Sequence, residues 1–191
     1  MVTPEGLATR RMNGIGAAET RLVGRDSRNG DTPPMLNADD LIRYVTGVHA
    51  RTYEAVERLR DEDLAWQPGT GEFTTGELVT HIANSRVMNT ESLQTGRLRY
   101  KGHTVRPGTN VLTMRQLILR TGKKTIAGLV DADLEQVIPA ADGHTLPAWR
   151  RVIAGLIEHE THHRSQLCEY LRQMGLEPPP LFGLHAEDLP R

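Results

Sequence analysis

His159-Glu160-Thr161-His162-His163 is the stretch on which the reading of this chain turns. It lies in a run with helical periodicity. One turn takes about 3.6 residues, so His159 and His163 leave the same face of that helix, about one turn apart. The spacing suits two ligands of a divalent metal. The same letters match H-E-x-x-H, the signature of zinc proteases, with Glu160 as the base. Three readings are open at this point: a metalloprotease, another metal site, or an ordinary helix.

Working outward, the helix that carries the motif is the last and longest. Trp149, Val152, Ile153, Leu156, Ile157, Leu167, Tyr170 and Leu171 form its apolar stripe. Pro147 suits its first turn, Gly175 its C-terminal cap, and Pro178-Pro179-Pro180 cannot continue it. Upstream, Asn37 can cap a first helix from about Ala38 to Leu59. A second begins near Thr74, with Glu77 completing a capping box, and runs to about Gln94. A polar stretch with Gly96, Gly102, Pro107 and Gly108 breaks the pattern before a third helix near Thr113. Residues 131–144 hold a short apolar pair, Val137-Ile138, between turn signals. Four long helices with almost no strand signal predict an all-α fold, a four-helix bundle.

Residues 1–35 differ from the rest. They are rich in Gly, Arg, Thr and Asn and have no sustained period, so a disordered or loosely packed N-terminal extension is expected. The bundle is expected over 36–183 and a C-terminal tail over 184–191.

The totals narrow the function classes. A formal net charge of −1 gives no field for nucleic acid or an anionic membrane. No apolar run approaches the roughly 20 residues of a membrane span. The N-terminus lacks the apolar segment of a secretory signal. One cysteine, Cys168, excludes an internal disulfide and fits a reducing cytoplasm. Its place on the helix turns it away from the histidine pair, so packing as a small buried residue is expected.

Two histidines hold a metal weakly, and a site that does chemistry commonly has three protein ligands plus an open position. The third should come from a facing helix. His81, on or beside the buried stripe of the second helix, is the best candidate. A histidine on an apolar face is more often a core residue satisfied by a hydrogen bond, but the pair in the last helix favours ligation here. His49 can be core, an orienting partner or a fourth ligand. His103, His144 and His185 fall in loops or the tail and are expected to be solvated. His162 should face away from the pair. The protease reading is poorly supported. Gln166 and Glu169 stand where a metzincin has Gly and His. Glu169 lies on the same helix and too near to be a thermolysin-type third ligand. No sheet is expected before the motif to form a substrate-binding edge.

Three separated segments resemble the DinB-like superfamily. Thr74-Thr75-Gly76-Glu77-Leu78-Val79-Thr80-His81-Ile82 is similar to its second-helix motif. His159 to Leu167, followed by Tyr170-Leu171-Arg172, Gly175 and Pro178-Pro179, resembles its last helix and exit. Leu64-Ala65-Trp66-Gln67-Pro68 resembles its first loop. Ser165 departs from the more usual Gly. The resemblance implies a three-histidine site for zinc, nickel or another divalent metal, with His81, His159 and His163 in the matching positions. It also implies either a transferase or isomerase using a low-molecular-weight thiol (bacillithiol, mycothiol or glutathione) or a metal-dependent hydrolase. The substrate would be a small molecule, with no nucleic acid and no membrane as partner.

Three neutral imidazoles leave a metal its full charge, which acidifies bound water or thiol alike, so the ligands do not choose the reaction. Glu160 is a candidate catalytic base, with a supporting role the better reading. Glu77 can orient His81 or simply cap its helix. Arg164 can pair with a carboxylate inside the bundle or be solvated. Asn84 and Trp66 are candidate pocket residues, with core packing the safer reading for Trp66. The alternative of a different class is a non-catalytic bundle stapled by its metal, acting as a stress or small-molecule-binding protein. A homodimer is the base-rate expectation.

Overall fold

The structure, a computed structural model, describes residues 37–140 and 142–180. The extension expected over 1–35 and the tail over 184–191, with His185, lie outside those residues. Asn37 starts α1 (Ala38–Glu57), its Oδ1 accepting the Asp40 N–H at 2.8 Å. A 3₁₀ turn, Asp61–Ala65, comes next. The capping box then opens α2 (Thr75–Thr95): Thr74 Oγ1 accepts the Glu77 N–H at 3.2 Å, and Glu77 Oε2 accepts the Thr74 N–H at 2.9 Å. Gly96, at φ 65°, takes the left-handed conformation that ends α2. Asn110 caps α3 (Val111–Val130), two residues earlier than the periodicity places its start.

Two departures lie before and within the last helix. The Val137-Ile138 pair belongs to a small antiparallel hairpin, β1 (Val137–Pro139) with β2 (Thr145–Pro147), in which Ile138 faces Leu146. Pro147 closes β2 and stands just before α4 (Ala148–Val152) rather than inside the helix. The expected unbroken helix is interrupted by a π-helical turn, Ile153–Glu158, before α5 (His159–Gln173). Such a turn holds one more residue than an α turn and shifts the phase of the helix beyond it, here the His159 face. Gly155 lies within it. A Cβ there would stand 2.2 Å from Asn89 Oδ1, so only glycine lets α2 come this close. Asn89 Nδ2 donates to the Gly155 carbonyl at 3.1 Å. At the far end Leu176 N–H reaches the Leu171 carbonyl at 2.8 Å and Gly175 N–H the Arg172 carbonyl at 2.9 Å, the paired bonds of a Schellman cap.

The four rods of the bundle are α1, α2, α3 and the α4–π–α5 unit. α3 packs on α1 and α2; so does α5. The core is layered. One apolar cluster gathers Ala55, Val56 and Leu59 with Leu78, Ile82, Met114, Ile118, Leu167 and Leu171. The other, at the hairpin end, gathers Leu41, Val45, Leu93, Leu129, Ile138, Val152 and Leu156. Each buried Leu or Ile contributes roughly 1.5–3 kcal/mol. Between the clusters, every rod supplies buried polar residues: His49 and Thr52, Ser85, Arg86 and Asn89, Thr121 and Thr125, Glu160 and Arg164.

Candidate metal centre

His81 projects from α2 toward His159 and His163, which leave α5 one turn apart. Its Nε2 lies 3.1 Å from His159 Nε2 and 3.0 Å from His163 Nε2. The three rings are partly exposed, and among the described residues no fourth histidine, cysteine or carboxylate joins them.

Two of the three imidazoles are placed by a neighbour. His163 Nδ1 donates to Gln166 Oε1 at 2.9 Å, and Gln166 Nε2 donates to the Tyr170 hydroxyl at 3.1 Å. With its proton on Nδ1, His163 turns a bare Nε2 inward. His81 Nδ1 is 2.7 Å from the Tyr100 hydroxyl, which also meets His103 Nδ1 at 3.2 Å. Tyr100 can thus accept from His81 and donate to His103, leaving His81 Nε2 bare as well. Phe73 stacks on His81 at 5.2 Å between ring centroids. Burial lowers the pKa of His81, and the charges of His163 and His159 add to it, bringing it to about 4. Burial, then His163, brings His159 to about 4 as well. Burial also lowers His163, against the Gln166 bond that raises it. His81 and His159 are therefore neutral at pH 7.

Neutral imidazoles whose Nε2 lone pairs converge repel one another unless a cation lies among them. Tetrahedral zinc, at about 2.0–2.1 Å from each nitrogen, sets its ligands roughly 3.3 Å apart. The two spacings from His81 are close to that, and all three ligand atoms lie within 4.8 Å of one another, so the donor set fits a divalent metal.

Glu160, one residue from His159, sits elsewhere. It is 1% exposed, and its carboxylate lies in the polar layer. Oε1 accepts from the Thr52 hydroxyl at 2.6 Å and pairs with Arg86 Nη2; Oε2 accepts from Arg86 Nε at 2.7 Å and lies 2.9 Å from His49 Nδ1. Burial pushes the Glu160 carboxyl up, but the Arg86 charge and hydrogen bonds with Arg86 and His49 outweigh it and hold it at about 2. The geometry of a protease base is absent, and the supporting role is a buried salt bridge with Arg86. His49 is core, lowered in pKa by burial, and stands in the Glu160 cluster instead of the histidine group.

The remaining candidates divide in the same way. The Glu77 carboxylate is used in the cap, and Tyr100 holds His81 instead. His103 is not the solvated loop residue expected; it packs edge-on to Phe73 at 4.5 Å. His162 and His144 are exposed. Arg164 is buried, and its Nε and Nη1 have no hydrogen-bond partner among the described residues. Cys168 is buried, with its thiol pKa raised by burial. Trp66 packs edge-on to Tyr170 at 5.2 Å, against the core. Asn84 lines a cavity between α2 and α3.

Sequence reasoning missed Tyr100, His103, Phe73 and Arg86 as partners. Tyr100 and His103 lie in the polar connection where no period points inward. Arg86 was legible as a charge in line with Ile82 and Leu93 on the buried face.

Fold and donor set together define a helical bundle with a three-histidine centre. The chain belongs to the DinB family, whose model matches residues 35–190. A DinB-like protein of Bacillus subtilis is similar at 23% identity, covering 74% of this chain and 96% of that one, with a TM-score of 0.62. One from Bacillus cereus is similar at 22% identity, covering 74% and 95%, with a TM-score of 0.63. YfiT from Bacillus subtilis, described as a probable metal-dependent hydrolase with an unusual four-helix bundle topology, shares 17% identity over 81% of this chain and 97% of its own, with a TM-score of 0.60. At these identities the likeness speaks for the fold. No curated protein matches the chain. No described helix is long and apolar enough to cross a membrane.

Proposed function

We propose that this protein is a metal-dependent enzyme acting on a small molecule, with His81, His159 and His163 holding a divalent metal, zinc or nickel. The observation that carries this reading is the convergence of three imidazole nitrogens, His81 Nε2 lying 3.1 Å from His159 Nε2 and 3.0 Å from His163 Nε2 and all three within 4.8 Å of one another, with no fourth ligand among the described residues. A metal with three neutral ligands and an open position supplies the acidity that makes water or a thiol a nucleophile near neutral pH. The chain's own residues supply orientation. Gln166 keeps the His163 proton on Nδ1, Tyr100 does the same for His81, and Phe73 limits the tilt of the His81 ring.

The first reading of the reaction is transfer of a low-molecular-weight thiol to an electrophile. Glu160, the nearest acid in sequence, is locked to Arg86, Thr52 and His49 and is not available as a base. A thiol, far more acidic than water, needs less help to ionise. The second reading is hydrolysis, favoured by the likeness to YfiT. Elemental analysis of the purified protein tests the metal. A panel of bacillithiol, mycothiol and glutathione with an electrophilic acceptor, run beside ester and amide substrates without thiol, separates the reactions. Thiol-dependent turnover lost in His81→Ala supports transfer; thiol-independent turnover lost in the same variant supports hydrolysis. A metal-replete protein inactive on both panels favours the metal-stapled, non-catalytic bundle.

A further inference from the structure

The connection between α2 and α3 has two faces. Tyr100 and His103 meet the histidine centre. Beyond them the chain walls a separate cavity of about 370 Å³ against α2 and α3. Thr80 and Asn84, on either side of His81 in sequence, form its α2 wall; Thr113 and Arg120 belong to α3. Lys101, Arg106 and Arg120 line it, and no acid does. Among the described residues none of these three cations has a carboxylate within salt-bridge distance. Glu91, an acid that feels the Lys101 charge, is itself bonded by Lys124 Nζ at 2.6 Å.

The backbone that carries Lys101 and Arg106 is held in place. Asn84 Nδ2 donates to the Gly102 carbonyl at 2.7 Å, Thr109 Oγ1 donates to the Arg106 carbonyl at 2.7 Å, and Val111 N–H donates to Asp61 Oδ1 at 2.7 Å. Val105 packs into the apolar core between the two cations. Three like charges gathered around one concavity repel one another, and an anion among them relieves that repulsion. Guanidinium and ammonium donors together suit an oxyanion.

We propose that this cavity binds the carboxylate or phosphate group of a small anionic substrate, within about a turn of α2 from His81. Calling the ligand a substrate rests on the metal-centre reading; the anion site rests on its own residues.

The test is a calorimetric titration of the full chain, as purified and at low ionic strength, with inorganic phosphate and separately with succinate. Wild type is compared with K101A/R106A/R120A and with a control, R58A/R150A/R172A, that removes three exposed arginines elsewhere. The expected result is saturable binding of at least one anion, weakened about tenfold or more in the first variant and little in the control. The preferred anion identifies the group recognised. The proposal is overturned if wild type shows no saturable binding of either anion, if the first variant binds as well as wild type, or if the control loses as much. All three substituted side chains are exposed, so an unchanged melting temperature verifies that the variant is folded. The metal content of His81→Ala is read separately, so failure of the metal reading and failure of the anion site are distinguishable.

Discussion

His159 and Glu160 are neighbours in sequence and opposites in situation. Glu160 is buried, and both its oxygens are satisfied by α1 and α2 through Thr52, Arg86 and His49. His159 is partly exposed, with Nε2 directed at another imidazole nitrogen. The first cluster pairs a buried carboxylate with donors and a cation from two other rods and so ties three rods together. The second is a set of acceptors with nothing of opposite charge among them. A buried polar group that is fully paired belongs to the architecture. Converging imidazole nitrogens are an arrangement that a bound cation would satisfy.

The sharpest way to break this contrast is His81→Ala. It should abolish stoichiometric metal binding while the fold persists, as read by elemental analysis and circular dichroism. Unchanged metal content would remove the three-histidine centre altogether. The counterpart is Glu160→Ala, which leaves the Arg86 guanidinium buried and unpaired. It should cost about 3–5 kcal/mol in denaturant unfolding. A loss below about 1 kcal/mol would mean that the polar layer does not hold the rods together.

The same contrast has a pH signature. His81 and His159 fall from an ordinary 6.5 to about 4 in the folded chain. Below pH 6.5 the unfolded chain therefore binds more protons at these sites than the folded one, and metal-free protein should lose stability as pH falls from about 6.5 to 4. Glu160 falls from 4.5 to about 2, so its contribution is present above pH 4.5 and is lost as pH falls through that window to about 2. Urea midpoints against pH should show both declines in wild type, and His81→Ala should flatten the upper one. An unaltered upper decline in that variant would assign it to other groups.

A finer comparison is among the residues that hold the imidazoles. Tyr100→Phe removes the hydroxyl at His81 Nδ1 and should weaken metal binding about 10–100-fold in a chelator competition, with little change in melting temperature. An equal loss in stability and affinity would make Tyr100 a packing residue. The smallest effect expected is that of Glu77→Ala. It should cost about 1 kcal/mol of stability through the lost cap and leave metal affinity alone. A fall in metal affinity would show that Glu77 also acts on His81.

Much of the fold was legible because its signals are local. Asn37, Thr74 with Glu77, and Gly175 mark helix ends by chemistry that acts over three or four residues. The shared face of the two α5 histidines comes from the pitch of a helix alone. The hairpin at Val137–Pro147 was not legible, because two three-residue strands carry no period, and their pairing depends on a contact across the turn. The π turn before His159 was hidden for a related reason. Its sequence has good helical spacing, and the widening shows itself in the packing of Asn89 against Gly155.

The four helical rods, the caps at Asn37, Thr74 and Gly175, the shared face of His159 and His163, and His81 as the best third partner were all readable from the sequence. Those rest on interactions between residues a turn apart. The tertiary structure decided what each polar residue does. Which way the last helix is turned depends on the π turn and on the rods around it. That rotation sends Glu160 into the core toward Arg86 and sends His159 outward to His81. It also decides that Tyr100, from a stretch without periodicity, holds the ring of a histidine 19 residues earlier.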